Sequence, residues 1–237
     1  LAYLAPEQLL GEPVSAATDV DLSQYKEGTL RRRTVKRYQS LRIATLDAYL
    51  VYVRANPDEL STLRQYFLIS VSAFFRDPDA FFALERALRD LIASKQNRDS
   101  IRVWVSGCAT GEEAYSIAML MLERGERALQ LFATDIDVAA LSHARAGHYR
   151  SGIAEQVTPA RLERYFTVDE QGYAVTPALR EPCLFSVHNL LHDPPFARLG
   201  LVSCRNLLIY LEPILQRKIL TLFHFSLRHD RDRKSVV

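Results

Sequence analysis

The stretch Val103-Trp-Val-Ser-Gly-Cys-Ala-Thr-Gly-Glu-Glu-Ala-Tyr-Ser-Ile-Ala118 is an apolar strand that runs into a turn punctuated by Gly107 and Gly111 and then into an amphipathic helix. The run 101–105 has the length and branched apolar content of a buried strand. Glycines in the turn after it let a ligand approach bare main chain at a helix N-terminus, where a side chain would block it. A second strand, Leu129-Gln-Leu-Phe-Ala-Thr134, ends on Asp135, 24 residues after Gly111. A carboxylate there can accept hydrogen bonds from both hydroxyls of a ribose. Strand, glycine turn, helix, strand and acid together describe one half of a Rossmann-like cofactor site.

The spacing narrows the cofactor. Dinucleotide enzymes use G-x-G-x-x-G, which seats a pyrophosphate on the positive helix end. Here the glycines stand as G-x-x-x-G, and Glu112 and Glu113 follow at once. Two carboxylates at that position repel a phosphate. They suit S-adenosylmethionine, which carries a sulfonium, an ammonium and a ribose but no phosphate. The plainer alternative is that the two acids only complement the helix dipole.

Outward from this core, residues 1–95 show helical periodicity alone, over 30–41, 46–54, 58–67 after Pro57, and 77–93 with Pro78 in the first turn. Beyond residue 101 strand and helix alternate: strand 101–105, helix 112–124, strand 129–134, helix 138–146. That alternation predicts a parallel sheet. Phe166-Thr-Val-Asp-Glu-Gln-Gly-Tyr-Ala-Val175 interrupts it with two short β-prone runs around Gly172, as in a hairpin. Strands over 184–187 and 199–203 resume the sheet, and Pro213 opens a last helix that runs to about residue 227.

Composition sets the class. At 237 residues, 48% hydrophobic and 24% charged, the chain can bury a substantial core and reads as an ordinary globular protein. It holds neither a long uncharged apolar run nor a signal-peptide pattern, so a cytoplasmic location without membrane insertion is expected. Cys108, Cys183 and Cys204 are odd in number and far apart, with no metal-ligand spacing, so reduced thiols and no metal are expected. Nucleic acid is disfavoured as a partner, because the net charge is only +2 and no aromatics interleave the basic cluster.

Several motifs in order along the chain resemble the CheR family of chemoreceptor glutamate methyltransferases. They are Asp21-Leu-Ser-Gln-Tyr-Lys26 with Thr29-Leu-Arg-Arg-Arg33, Ile69-Ser-Val-Ser-Ala-Phe-Phe-Arg-Asp-Pro78, the block from Val103 to Ala118, Ala133-Thr-Asp-Ile-Asp137, Asn189-Leu-Leu191 and Ser203-Cys-Arg-Asn-Leu-Leu-Ile-Tyr210. Pro194-Pro-Phe-Ala-Arg-Leu199 and Leu222-Phe-His-Phe-Ser-Leu-Arg228 look most like the versions in which the methyltransferase is fused to a methylesterase. A first residue of Leu fits a piece of such a longer protein.

The resemblance implies a Rossmann-like class I methyltransferase sheet with a small antiparallel β-subdomain, preceded by a small all-α domain. The expected division is a helical domain and connector over 1–95 and an S-adenosylmethionine-binding domain over 96–237, with the β-subdomain at 163–183 and an unstructured tail at 229–237. Relatives continue past this point with further strands, so the sheet is expected to lack its last ones. Arg76 and Tyr210 are implied at the reacting centre. Arg76 would hold a carboxylate or the cofactor, and the Tyr210 hydroxyl would orient a substrate oxygen or the methyl. Plainer roles are a partner for Asp77 in the first case and a core aromatic in the second. Cofactor contacts are implied at Ser70, Ser72, Arg76, Gly107, Gly111, Glu112, Asp135, Asn189, Leu190, Arg205 and Asn206.

The segment 26–37 holds Lys26, Arg31, Arg32, Arg33, Lys36 and Arg37 against the single acid Glu27. Such a run is usually a solvated helix face. The resemblance makes Arg31, Arg32, Arg33, Lys36 and Arg37 a docking surface for the acidic cytoplasmic helices of a chemoreceptor. Asp193-Pro-Pro-Phe196 imitates the amine-gripping motif of amino-methyltransferases but stands before the wrong strand. Gly200 replaces a usual acidic residue, and with the abrupt tail it motivates a second reading, a catalytically impaired S-adenosylmethionine- or receptor-binding module. The leading expectation is a protein-glutamate O-methyltransferase acting in chemotaxis adaptation, with S-adenosylhomocysteine as product. An ionised glutamate is already a nucleophile, so the absence of a catalytic base fits that chemistry.

Overall fold

The structure, a computed structural model, describes residues 25–68, 71–93, 100–126 and 128–227 and the backbone of 234–236. The chain divides into two compact units, one of residues through Ile69 with Asn206–Arg217, the other of Ser70–Arg205 with Lys218–Val237.

The first unit is helical: α1 (Glu27–Ser40), α2 (Leu46–Ala55) and α3 (Asp58–Phe67). Thr45 caps α2 by accepting the Ala48 N–H, as a side-chain oxygen at that position should. Leu30, Tyr49, Val53, Leu63 and Phe67 form its buried apolar face. Glu59 is buried among them and compensated twice, by a bidentate Arg37 guanidinium at 2.7 Å on each oxygen and by the Tyr49 hydroxyl at 2.7 Å. The returning segment 206–217 is fastened here through Lys26, whose N–H donates to the Tyr210 carbonyl at 2.9 Å and whose Nζ donates to the Ile209 carbonyl at 2.8 Å.

The second unit opens with α4 (Pro78–Ala93). It lies within the stretch expected as the helical domain and its connector over 1–95, and its Phe81, Leu84, Leu88 and Leu91, an apolar stripe at helical spacing, share one core with Ile101, Val103 and Val105 of the sheet. There follow β1 (Ile101–Ser106), α5 (Glu112–Glu123), β2 (Leu129–Asp135) and α6 (Val138–Ala146). An insertion comes next: β3 (His148–Tyr149), a 3-10 turn (Ser151–Glu155), α7 (Pro159–Tyr165), β4 (Phe166–Asp169), β5 (Gly172–Val175) and α8 (Pro177–Arg180). The chain then returns as β6 (Cys183–Val187), β7 (Leu201–Ser203), α9 (Pro213–Ser226) and β8 (Lys234–Val236).

The main sheet is parallel in the order β6-β2-β1-β7-β8, and the insertion forms an antiparallel sheet in the order β3-β5-β4. The hairpin predicted around Gly172 is present, closed by the Asp169 carboxylate accepting the Gln171 and Gly172 N–H groups. His148–Tyr149 adds a third strand too short to announce itself by alternation. The stretch expected to be an unstructured tail contributes Lys234–Val236, which pairs with Leu201–Ser203. An open strand edge offers backbone groups that need partners, and Lys234–Val236 meets those of β7.

Candidate cofactor site

Parallel strands place the open ends of their loops together, and of the expected cofactor residues Gly107, Gly111, Glu112, Asp135, Asn189, Leu190 and Arg205 stand at or just after the C-terminal ends of β1, β2, β6 and β7. After β1 the backbone enters the left-handed region three times, at Gly107 (φ 72°), Ala109 (φ 47°) and Gly111 (φ 95°). That path turns the Ala109 N–H onto Asp135 Oδ2 at 2.8 Å, while the Asp137 N–H donates to Oδ1 at 3.0 Å. Backbone N–H groups, that of Ile136 among them, thus hold the Asp135 carboxylate and leave acceptor capacity over. Burial pushes its pKa up and these N–H bonds oppose the rise. A half-buried carboxylate with spare acceptor capacity beside a bare turn fits the ribose of S-adenosylmethionine.

Gly111 has a packing reason that its sequence position does not reveal. A Cβ there would lie 2.8 Å from the Ala144 Cβ and 3.1 Å from the Tyr149 hydroxyl, so the glycine lets the turn pack on α6. Tyr149 secures the same turn by donating to the Thr110 carbonyl at 2.7 Å. The Cys108 thiol within it is buried, and desolvation with Asp135 and Glu113 nearby raises its pKa well above the usual value, which leaves it inert.

The two acids that open α5 separate. Glu112 is half-buried and accepts the Thr110 hydroxyl at 2.7 Å. Glu113 turns inward, accepts the Ser203 hydroxyl at 2.6 Å and has Arg205 Nη1 at 3.9 Å. Burial raises its pKa, with the Ser203 bond and Arg205 opposing. Of the pair, Glu112 stays at the turn, and Glu113 ties α5 to β7.

Arg76 lies in a segment held in an uncommon shape, since Phe75 (φ 51°) and Asp77 (φ 57°) both sit in the left-handed region without being glycine. Each such residue costs about 1–2 kcal/mol. Arg76 Nη1 donates to the Val71 carbonyl at 3.0 Å. Asp77 pairs instead with Arg205 Nη2 at 3.0 Å. Arg205, expected at the cofactor, also donates to the Arg76 carbonyl at 2.7 Å, and its guanidinium lies 4.9 Å over the Phe81 ring with a side chain only 7% exposed. It braces the Arg76 segment. Ser72 is half-buried in the same segment, and Ser70 lies outside the described residues.

After β6, the Asn189 N–H donates to Asp193 Oδ2 at 2.7 Å, its Oδ1 accepts the Leu191 N–H at 3.0 Å, and Leu190 is buried. The Asp-Pro-Pro-Phe stretch is therefore a brace: Asp193 fixes Asn189, and Phe196 stacks on Phe132 at 4.5 Å and meets Trp104 edge-on at 5.2 Å. Gly200 precedes β7 at the end away from this loop. A Cβ there would lie 3.1 Å from Leu91 Cδ1, so a larger side chain would need Leu91 to give by a few tenths of an ångström.

Asn206 (φ 58°) and Tyr210 belong to the helical unit, as do the basic residues. The expected docking set divides there. Arg31, Arg32 and Lys36 are exposed. Arg37 is bound to Glu59, and Arg33 donates to the Tyr66 carbonyl, is partly desolvated and feels the Tyr210 phenol. Neither of those two forms part of an outward basic face.

Sequence reasoning missed Ser116, Gln156 and the Glu113–Ser203 bond. Ser116 Oγ accepts the Phe75 N–H at 3.1 Å and Gln156 Oε1 accepts the Phe74 N–H at 2.9 Å, across 41 and 82 residues, and no local pattern encodes such pairings.

Fold and site define an α/β protein whose glycine turn and Asp135 carboxylate meet at the ends of adjacent parallel strands. The family model for the CheR methyltransferase SAM binding domain matches residues 70–231, and that for the CheR methyltransferase all-alpha domain matches 8–68. The chain belongs to the CheR methyltransferase family, and its cofactor is S-adenosylmethionine. It is 40% identical over 95% of its length to an uncharacterized 104.1 kDa protein of Rhodobacter capsulatus, of which it spans 25%. It is 32% identical to the chemotaxis protein methyltransferase of Listeria monocytogenes, covering 81% of this chain and 73% of that one. The chemotaxis protein methyltransferase of Escherichia coli is also 32% identical, over 88% of this chain and 75% of that one. No described helix is long and apolar enough to cross a membrane.

Proposed function

We propose that this chain is a cytoplasmic protein-glutamate O-methyltransferase that esterifies glutamate side chains on the cytoplasmic helices of chemoreceptors, within a protein that also carries or recruits a methylesterase. The observation that carries this reading is the fixed Arg76 segment, tied through the Phe75 N–H to Ser116 one turn into the helix that follows the glycine turn. A guanidinium on a rigid backbone beside a cofactor turn can hold an acceptor carboxylate by paired hydrogen bonds.

S-adenosylmethionine supplies an electrophilic methyl on sulfur. Asp135 would take its ribose hydroxyls, Glu112 would face its positive end, and the main chain at Gly107 and Gly111, with Ser72, Asn189 and Leu190, would line the rest. A glutamate carboxylate, with an ordinary pKa of about 4.3, needs no base, so the protein's work is alignment and exclusion of water. Arg31, Arg32 and Lys36 would meet the acidic receptor helix. Gly200, at the N-terminal end of β7, would carry a Cβ 3.1 Å from Leu91 Cδ1, which supports a packing role for the glycine.

The test is transfer of labelled methyl from S-adenosylmethionine to a chemoreceptor cytoplasmic fragment. Base-labile label on glutamates, absent with Arg76→Ala, is the expected result. Label on free nucleotides or metabolites and none on receptor would overturn the reading.

A further inference from the structure

We propose that Gln156 is a positioning residue for methyl transfer, its side-chain oxygen holding the backbone that presents Arg76. This rests on the proposed role of Arg76. Gln156 follows the 3-10 turn of the insertion, and its own N–H is fixed to the Ile153 carbonyl at 2.9 Å. Its Oε1 accepts the Phe74 N–H at 2.9 Å, and since only the oxygen can accept, the amide orientation is settled. The next N–H, of Phe75, goes to Ser116 Oγ, whose own proton is committed to the Glu112 carbonyl at 2.7 Å. The next carbonyl, of Arg76, accepts Arg205. Three successive residues are thus held by α5, the insertion and the loop after β7.

Side chains follow the same division. The Phe74 ring packs edge-on against Tyr149 at 4.9 Å and Phe166 at 5.6 Å, both from the insertion. The Arg161 guanidinium, also from the insertion, lies 4.3 Å over the Phe75 ring and is itself pinned by Glu123. Without an acceptor for the Phe74 N–H, the left-handed geometry at Phe75 and Asp77 loses one of the restraints that keep it from relaxing to negative φ, and the direction of Arg76 changes with it. Gln156 is itself exposed, so its loss leaves the core intact.

The experiment compares Gln156→Leu, Gln156→Glu and Arg76→Ala in the whole chain. In Gln156→Leu, amide exchange over 71–77 should rise about tenfold. Its kcat for labelled methyl transfer to the receptor fragment should fall about tenfold, while the KM for receptor and the S-adenosylhomocysteine Kd stay within about twofold. Gln156→Glu keeps an acceptor in an exposed place and should restore both readings. Unchanged exchange over 71–77 in Gln156→Leu overturns the inference, as does an equal loss of kcat in the Glu variant. Full turnover by Arg76→Ala defeats the proposed function itself; a dead Arg76→Ala beside an unaffected Gln156→Leu defeats this inference alone.

Discussion

The strand ends of the sheet unit and the inner face of α1 solvate their buried carboxylates in opposite ways. Asp135 is held by backbone N–H groups, and Glu113 by a serine hydroxyl with an arginine at the margin; for both, burial prevails and the pKa rises. Glu59 is clamped by a bidentate guanidinium and a phenol, and the Arg37 bond draws its pKa below the usual carboxylate range. A carboxylate solvated by dipoles keeps acceptor capacity for a ligand, whereas one neutralised by an arginine is committed to stability. The first arrangement makes a site and the second makes a scaffold.

The strongest way to break the site side of this comparison is at the turn that creates it. Gly111→Ala adds a methyl group 2.8 Å from Ala144 at φ 95°, and strain with overpacking should cost about 4 kcal/mol in denaturant unfolding. The scaffold is broken at Arg37. Arg37→Ala leaves Glu59 buried with only Tyr49 and should cost about 3 kcal/mol, a fall in Tm of roughly 6–12 °C by calorimetry. That loss should shrink as pH falls through the depressed folded pKa of Glu59, since the pair stabilises only while the carboxylate is ionised and is lost on its protonation.

Titration sharpens the contrast further. Because burial raises the folded pKa of Asp135, affinity for S-adenosylhomocysteine should decline on acidification with a midpoint above about 3.9, and Asp135→Asn should flatten that decline. The smallest effects belong to the outward groups. Arg32→Ala should change stability by less than about 0.5 kcal/mol while weakening receptor-fragment binding in a salt-dependent way. Gly28→Ala, with open space around it in α1, should gain about 0.5 kcal/mol.

These two regions also differ in what the sequence revealed. The glycine turn and Asp135 were legible because a strand, a left-handed turn and an acid at a strand end are local requirements written in consecutive residues. The meaning of Gly111 was not, because the atom it avoids belongs to Ala144. Five basic residues on α1 looked equivalent in sequence, yet Arg37 is claimed by Glu59 and Arg33 by Tyr66, partners 22 and 33 residues away. The helix 78–93 is legible from its apolar spacing but its partner is not, because periodicity fixes an apolar stripe without saying what covers it. Gln156 carried no signal at all: its role is a single long-range bond to a backbone N–H.

The most direct test of the cofactor site is calorimetric binding of S-adenosylhomocysteine to this chain and to Asp135→Ala. Binding in the micromolar range should weaken roughly 100-fold in the variant, the worth of two hydrogen bonds to a charged acceptor. Equal affinity in the two proteins would contradict it and move the cofactor away from the ends of β1 and β2.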